Sequence, residues 1–172
     1  MPSITVQLEP PDQPEVRALI AALDAYQDTL YPPEARYALD LSALAQAGVL
    51  FAVARGAEGQ ALGCGAVVLS GAVAPEHPNG DQGELKRMFV QPAQRGLGVA
   101  GRVLAALEAA AMARGCRWLQ LETGPRQPEA IAFYAKHGFE RCGAFGDYAE
   151  HPLSVFMRKA LTGPPAGGLS PL

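Results

Sequence analysis

The chain has 172 residues, 49% hydrophobic and 18% charged, which is enough apolar material for one packed domain and too much for a disordered one. Its formal net charge is −3, which argues against a nucleic-acid binder, because such a protein needs clustered positive charge. No long apolar span and no basic, signal-like start is present, and Cys64, Cys116 and Cys142 lie far apart without metal or disulfide spacing; the expectation is a soluble cytoplasmic protein with no membrane association and no metal site.

Ile4 to Leu8 alternates apolar and polar residues and predicts a first strand, ended by Pro10 and Pro11. Asp12 is placed to cap a helix from Glu15 to Leu30, where Val16, Leu19, Ile20, Leu23, Tyr26 and Gln27 form one stripe. Tyr31-Pro32-Pro33 breaks that helix. Leu39, Leu41 and Leu44 predict a shorter helix from Tyr37 to Ala47, with Gly48 as its C-terminal cap. Val49 to Arg55 is a dense apolar strand, Gly56 to Gly59 a turn, and Ala61 to Gly71 the other arm of a hairpin. Val73 to Gly83, with Pro75, Pro78 and Asn79-Gly80, reads as a polar loop.

A strand follows from Glu84 through Leu85 to Val90, closed by Pro92. Gln94 to Gly101 is a glycine-rich turn, and Val99, Val103, Leu104, Leu107 and Ala111 give helical spacing up to Arg114, with Gly115 as the stop. Arg117 to Glu122 is a strand, Gln127 to His137 a short helix stopped by Gly138, and Phe139 to Cys142 and Ser154 to Leu161 are the last strands. Residues 1–162 make a single domain, and the Pro- and Gly-rich tail 163–172 is expected to be disordered. The order implies an α+β fold whose mixed, mostly antiparallel sheet is flanked by helices. A single parallel βαβ crossover runs through the glycine turn.

That crossover is built to hold an anion. The first N–H groups of a helix lack internal partners, the helix dipole adds positive potential there, and glycines let a phosphate approach the backbone. Arg95 and Arg102 add charge, with Lys86 and Arg87 on the strand before it. Gly96-x-Gly98-x-x-Gly101 fits the dinucleotide fingerprint, with Glu122 where a ribose-binding acid belongs. Against it, Gln91 to Arg95 separate the strand from the glycines, and too few residues follow Glu122 to complete a doubly wound sheet.

The same residues resemble the GNAT superfamily of acyl-CoA-dependent N-acetyltransferases. Arg95-x-x-Gly98-x-Ala100 is similar to the family's Q/R-x-x-G-x-G/A loop, Leu85 to Pro92 to the strand before it, and Ala130 to Phe139 to its A-I-x-L/F-Y-x-K-x-G-F segment. Gln127 stands where family members often carry Asn. The resemblance implies acetyl-CoA as co-substrate. Its phosphates would lie on the backbone of Arg95, Gly96, Leu97, Gly98, Val99, Ala100 and Gly101. Its pantetheine would lie along Met88, Phe89 and Val90, with Gln127 nearby.

It further implies Tyr134 as the general acid that protonates the departing thiolate. Glu84, at the head of the strand, becomes the candidate base acting on the amine. For an acceptor, Tyr26, Tyr31 and Tyr148 are the candidate contacts, since aromatics at the mouth can hold a cationic amine. Arg36 and Tyr37 lie in the same helix junction. The expected acceptor is a small-molecule primary amine. The alternatives are a protein lysine or N-terminal acetyltransferase and a non-catalytic acyl-CoA-binding module. The family adds a homodimer partner as a further expectation.

Overall fold

A computed structural model describes residues 3–36, 39–69 and 81–161. In chain order the elements are β1 (Thr5–Leu8), α1 (Pro14–Asp28), α2 (Leu41–Leu44), β2 (Val49–Arg55), β3 (Ala61–Leu69), β4 (Gln82–Val90), α3 (Val99–Ala113), β5 (Trp118–Thr123), α4 (Pro128–Lys136), β6 (Glu140–Cys142) and β7 (Val155–Ala160). The strands form one mixed sheet in the order β1-β2-β3-β4-β5-β7-β6, and its one parallel pair is β4 with β5. The predicted α+β fold with a single parallel crossover is therefore the observed one. The dinucleotide reading falls, because a doubly wound parallel sheet is absent among the described residues.

The dense apolar run of β2 has a simple cause. Both of its faces are covered. Successive residues of a strand point to opposite faces, so Leu50, Ala52 and Ala54 join one core with Val103, Leu104 and Leu107 of α3. Phe51 and Val53 join a second core with Val16, Leu19 and Leu23 of α1. A strand covered on both faces has no reason to alternate apolar and polar side chains.

Three local expectations are corrected. Asp12 does not cap α1: Gln13 is the N-cap, with no side-chain capping bond, and Asp12 pairs with Arg17 instead. The second helix is one turn, Leu41–Leu44, because the Asp40 side chain accepts the Ala43 N–H and fixes the start there. Gly48 does not cap it; the Gly48 carbonyl accepts the Leu69 N–H at 2.8 Å and so opens the β2–β3 ladder. Tyr37, the predicted loop over 73–80 and the tail 163–172 lie outside the described residues.

The feature that shapes the site is a bulge in β4. Cys64 pairs with Phe89 and Ala66 with Lys86, so Gly65 faces both Arg87 and Met88. Arg87 takes φ +59°, a left-handed conformation that costs a residue with a Cβ about 1–2 kcal/mol. Its side chain is held from both ends of that strain. The guanidinium meets Asp24 of α1 at 2.5 Å and donates to the Leu39 carbonyl at 2.9 Å. Asp24 also pairs with Arg36 at 2.9 Å. We expect Asp24→Ala to destabilise the fold by about 2 kcal/mol, below the cost for a fully buried pair because Asp24 is 38% exposed. Urea unfolding should show a lower midpoint at an unchanged m-value.

Candidate active site

Just before the bulge, β4 and β5 part. Their ladder runs from Gln82↔Trp118 to Leu85↔Leu121 and stops there. Glu122 and Thr123 pair with β7, while Lys86 to Val90 keep pairing with β3 only. The sheet therefore forks, and the β5-facing edge of Met88 to Val90 is available to an added extended chain with its own amides.

A cavity of about 510 Å³ fills one side of the fork. Met88, Phe89 and Val90 line it along β4, Arg95 to Gly101 (Leu97 excepted) at the head of α3, and Gln127 and Tyr134 along α4. Gly98 is the N-cap of α3 at φ +79° and Gly96 has φ +82°; a Cβ on either would project into open space. This is a cradle at a helix N-terminus that only glycine forms without strain. Arg95 donates to the Val90 carbonyl at 3.1 Å and lies over the Phe89 ring, which folds its charge back onto the cavity rim. The residues fit an acyl-CoA: an anion cradle, an unpaired strand edge and an apolar wall.

A smaller cavity of about 110 Å³ lies on the other side, lined by Lys86, Glu122, Thr123, Gln27 and Gln127 among others. Tyr134, Leu23, Met88, Gln127 and Ala130 line both cavities, so the two adjoin along a wall that includes Tyr134. Tyr134 is 8% exposed and packs edge-on against Phe133 and Phe139, with ring centroids 5.3 and 5.4 Å away. Burial pushes its hydroxyl well above the ordinary phenol range, with no charge or hydrogen bond contributing.

Glu84 is engaged. Tyr148 donates to its carboxylate at 2.5 Å, and Lys86 lies 3.2 Å from the same oxygen and 2.6 Å from the Tyr148 hydroxyl. Glu122 stands one place past the last β4–β5 pair, as Lys86 does on β4. Burial pushes the Glu122 carboxyl up to about 7, while a hydrogen bond from Ser154 and the charge of Lys86 oppose the shift. A carboxyl with a raised folded pKa loses stability as pH rises from its unfolded value through its folded one. Wild type should thus lose stability between about pH 4.5 and pH 7, and Glu122→Gln should not. Melting curves at pH 4 and pH 8 check this: the variant's advantage in Tm should appear at pH 8 and be small at pH 4.

The remaining predicted residues divide. Tyr26 lines the larger cavity and not the smaller one, and donates to Glu129 of α4 at 3.1 Å. Tyr31 lines neither cavity. It is buried against Gly124, and its hydroxyl accepts the Arg126 N–H at 3.2 Å, so it props the β5–α4 loop. Leu97 is 47% exposed and outside the cavity lining. Of the basic cluster of the sequence only Arg95 stays on the larger cavity: Lys86 goes to Glu84, Arg87 to Asp24, and Arg102 is exposed off the cavity. Lys136 and His137 line the larger cavity instead, two and three residues past Tyr134, positions that the K-x-G-F spacing encodes. Glu122, read as a ribose acid, belongs to the smaller cavity, away from the glycines.

Among the described residues, no helix is long and apolar enough to cross a membrane, and no cluster of three metal-ligating side chains forms. The acetyltransferase (GNAT) family model matches residues 16–139. The IAA acetyltransferase of Azospirillum brasilense is 44% identical over 161 residues, which cover 94% of this chain and 100% of that one. A crystal structure from Klebsiella pneumoniae subsp. pneumoniae, of a provisionally named acyl-CoA N-acyltransferase, matches with a TM-score of 0.74 at 40% identity over 92% of this chain and 97% of its own. An aminoglycoside 6′-N-acetyltransferase complexed with coenzyme A shares the fold, with a TM-score of 0.68 at 13% identity over 94% of this chain and 99% of its own.

Proposed function

This chain belongs to the acetyltransferase (GNAT) family and is an acyl-CoA-dependent N-acetyltransferase with acetyl-CoA as its co-substrate; we propose that its acceptor is the primary amine of a small molecule, attacking directly with Tyr134 as general acid. The observation that carries the reading is that the two cavities adjoin along a wall that includes Tyr134. The larger fits an acyl-CoA, and the smaller admits one amine-bearing arm. Tyr134 is the one shared wall residue that carries a hydroxyl, which supports placing the reaction between their contents beside it.

Acetyl-CoA supplies an activated acetyl thioester. The chain supplies placement and protons. The free β4 edge and the α3 head fix the co-substrate, and a main-chain N–H at the fork steadies charge developing on the thioester oxygen. Tyr134 remains protonated at any working pH, because burial disfavours its anion. It therefore holds a proton for the departing thiolate. Direct attack is favoured over a cysteine relay, since the Cys64 thiol is buried and pushed up to about 12 by desolvation. Glu84 is tied to Tyr148 and Lys86, and we assign it to holding the acceptor mouth in shape.

A panel of acceptors with acetyl-CoA tests the proposal, with product masses read directly. It should contain small primary amines, a lysine-bearing peptide, a peptide with a free N-terminus, and IAA, for which the Azospirillum relative is named. A small primary amine should give the highest kcat/KM. A peptide outrunning every small amine would move the acceptor to protein. Acetyl-CoA binding with no acetylated product would make the chain a binding module.

A further inference from the structure

We propose that Glu122 is the residue that receives the acceptor's proton, so that the acceptor enters the smaller cavity as a primary ammonium ion. The inference rests on the amine-transfer reading above and adds the group that frees the nucleophile. It also assigns that role to Glu122, leaving Glu84 with the mouth.

The placement comes from the fork. Leu85↔Leu121 is the last pair of the β4–β5 ladder, so Lys86 and Glu122 are the first residues on either side of the opening. Glu84 lies two places before Lys86 on the same face of β4 and neutralises it at 3.2 Å, with Tyr148 bridging the pair. Their charges cancel within the pair. The Arg87 guanidinium, also on this cavity, is matched by Asp24. What is left over is the Glu122 carboxyl, which accepts from the Ser154 side chain and feels the charge of the already paired Lys86. A carboxylate in a small cavity whose nearest cation is already paired with Glu84 favours a single added positive charge. The other polar walls, Gln27, Thr123 and Gln127, are neutral hydrogen-bonding groups that suit an uncharged remainder of the acceptor.

The titratable and charged groups around Glu122 are Glu84, Lys86 and Arg87 from β4, Tyr31 after α1, and Tyr134 from α4 across the shared cavity, with Tyr148 bonded to Glu84 and Lys86 behind them. Of these, Glu84 raises the Glu122 carboxyl and Lys86 lowers it, and burial outweighs both. A carboxyl held near neutrality is matched to accepting a proton at physiological pH.

The ammonium gives one proton to the Glu122 carboxylate and becomes a free amine. Its nitrogen lone pair forms the new C–N bond at the acetyl carbon, and the C–S bond breaks with its electron pair leaving on sulfur. Tyr134 gives its proton to that sulfur. The second proton lost by nitrogen returns to the tyrosine oxygen through water, and Glu122 releases its proton to solvent. The sum is ammonium plus thioester giving amide, thiol and one proton.

The test is kcat/KM against pH for the best amine of the panel, in wild type, Glu122→Gln, Glu122→Asp and Glu84→Gln, with acetyl-CoA affinity measured on each as the folding control. Wild type should rise with an apparent pKa near 7. Glu122→Gln should lose about 10²-fold at neutral pH and lose that limb, rising steadily instead as free amine accumulates. Glu122→Asp should restore part of the rate and a shifted limb, and Glu84→Gln should keep a limb whatever its rate. A Glu122→Gln profile that keeps the wild-type limb, or a limb lost in Glu84→Gln instead, overturns the assignment. If wild type acetylates no amine, the reading it rests on falls and the assignment falls with it. Wild-type turnover combined with an unaltered Glu122→Gln profile overturns the assignment alone.

Discussion

Tyr134→Phe is expected to lower kcat by about 10²-fold, the size general acid catalysis contributes, while acetyl-CoA affinity stays close to wild type. The ring is held by edge-on contacts with Phe133 and Phe139, and phenylalanine keeps both. Burial alone accounts for the raised hydroxyl pKa, so its removal breaks no hydrogen bond that holds the fold. The loss should therefore fall on the chemical step, lowering kcat and kcat/KM together. It should also shrink for an acyl donor whose leaving thiol is more acidic, because a better leaving group needs less protonation. Steady-state kinetics with acetyl-CoA titrated separately by calorimetry reads both effects. A kcat equal to wild type removes Tyr134 as the acid and leaves it as a core aromatic between the cavities.

The second large effect is on binding. Gly98→Val should weaken acetyl-CoA by about 10²-fold or more, from the loss of two charge-assisted backbone contacts at about 1.5–3 kcal/mol each. Gly98 caps α3 at φ +79°, and its missing Cβ faces the open cavity. A valine there is strained in the left-handed region by about 1–2 kcal/mol and sets its methyls where a phosphate must approach. Gly98→Ala keeps the strain and adds less bulk, so it should fall between the two. Retained affinity in the valine variant would place the phosphates elsewhere than the α3 head.

Sequence reading reached the fold and the cofactor side because both rest on local signals. Glycines before a helical stripe mark an anion cradle, and Val90, Pro92 and Gly98 lie close together in the chain. The acceptor side rests on contacts across the whole chain. Arg87 gives no local sign of positive φ; its conformation is held by Asp24 and Leu39, far away in sequence. Glu122 looked like a ribose acid by spacing, yet the fork and the burial around it turn it to the other cavity. Tyr31 read as an acceptor contact because exposed aromatics at a helix end invite that reading. Gly124 leaves room beneath the loop and the ring fills it. The second helix shrank to one turn for a local reason: the Asp40 side chain caps Ala43 where leucine spacing suggested an earlier start.

If both substrates meet at Tyr134 and react directly, no covalent acetyl-protein forms on the way. Initial rates measured over a grid of acetyl-CoA and acceptor concentrations test it most plainly. Direct attack requires both substrates bound together, so double-reciprocal lines should intersect, and intact-protein mass after acetyl-CoA alone should show no acetyl adduct. Parallel lines together with an acetylated protein would mean a covalent relay, and the two-cavity account of this site would be wrong.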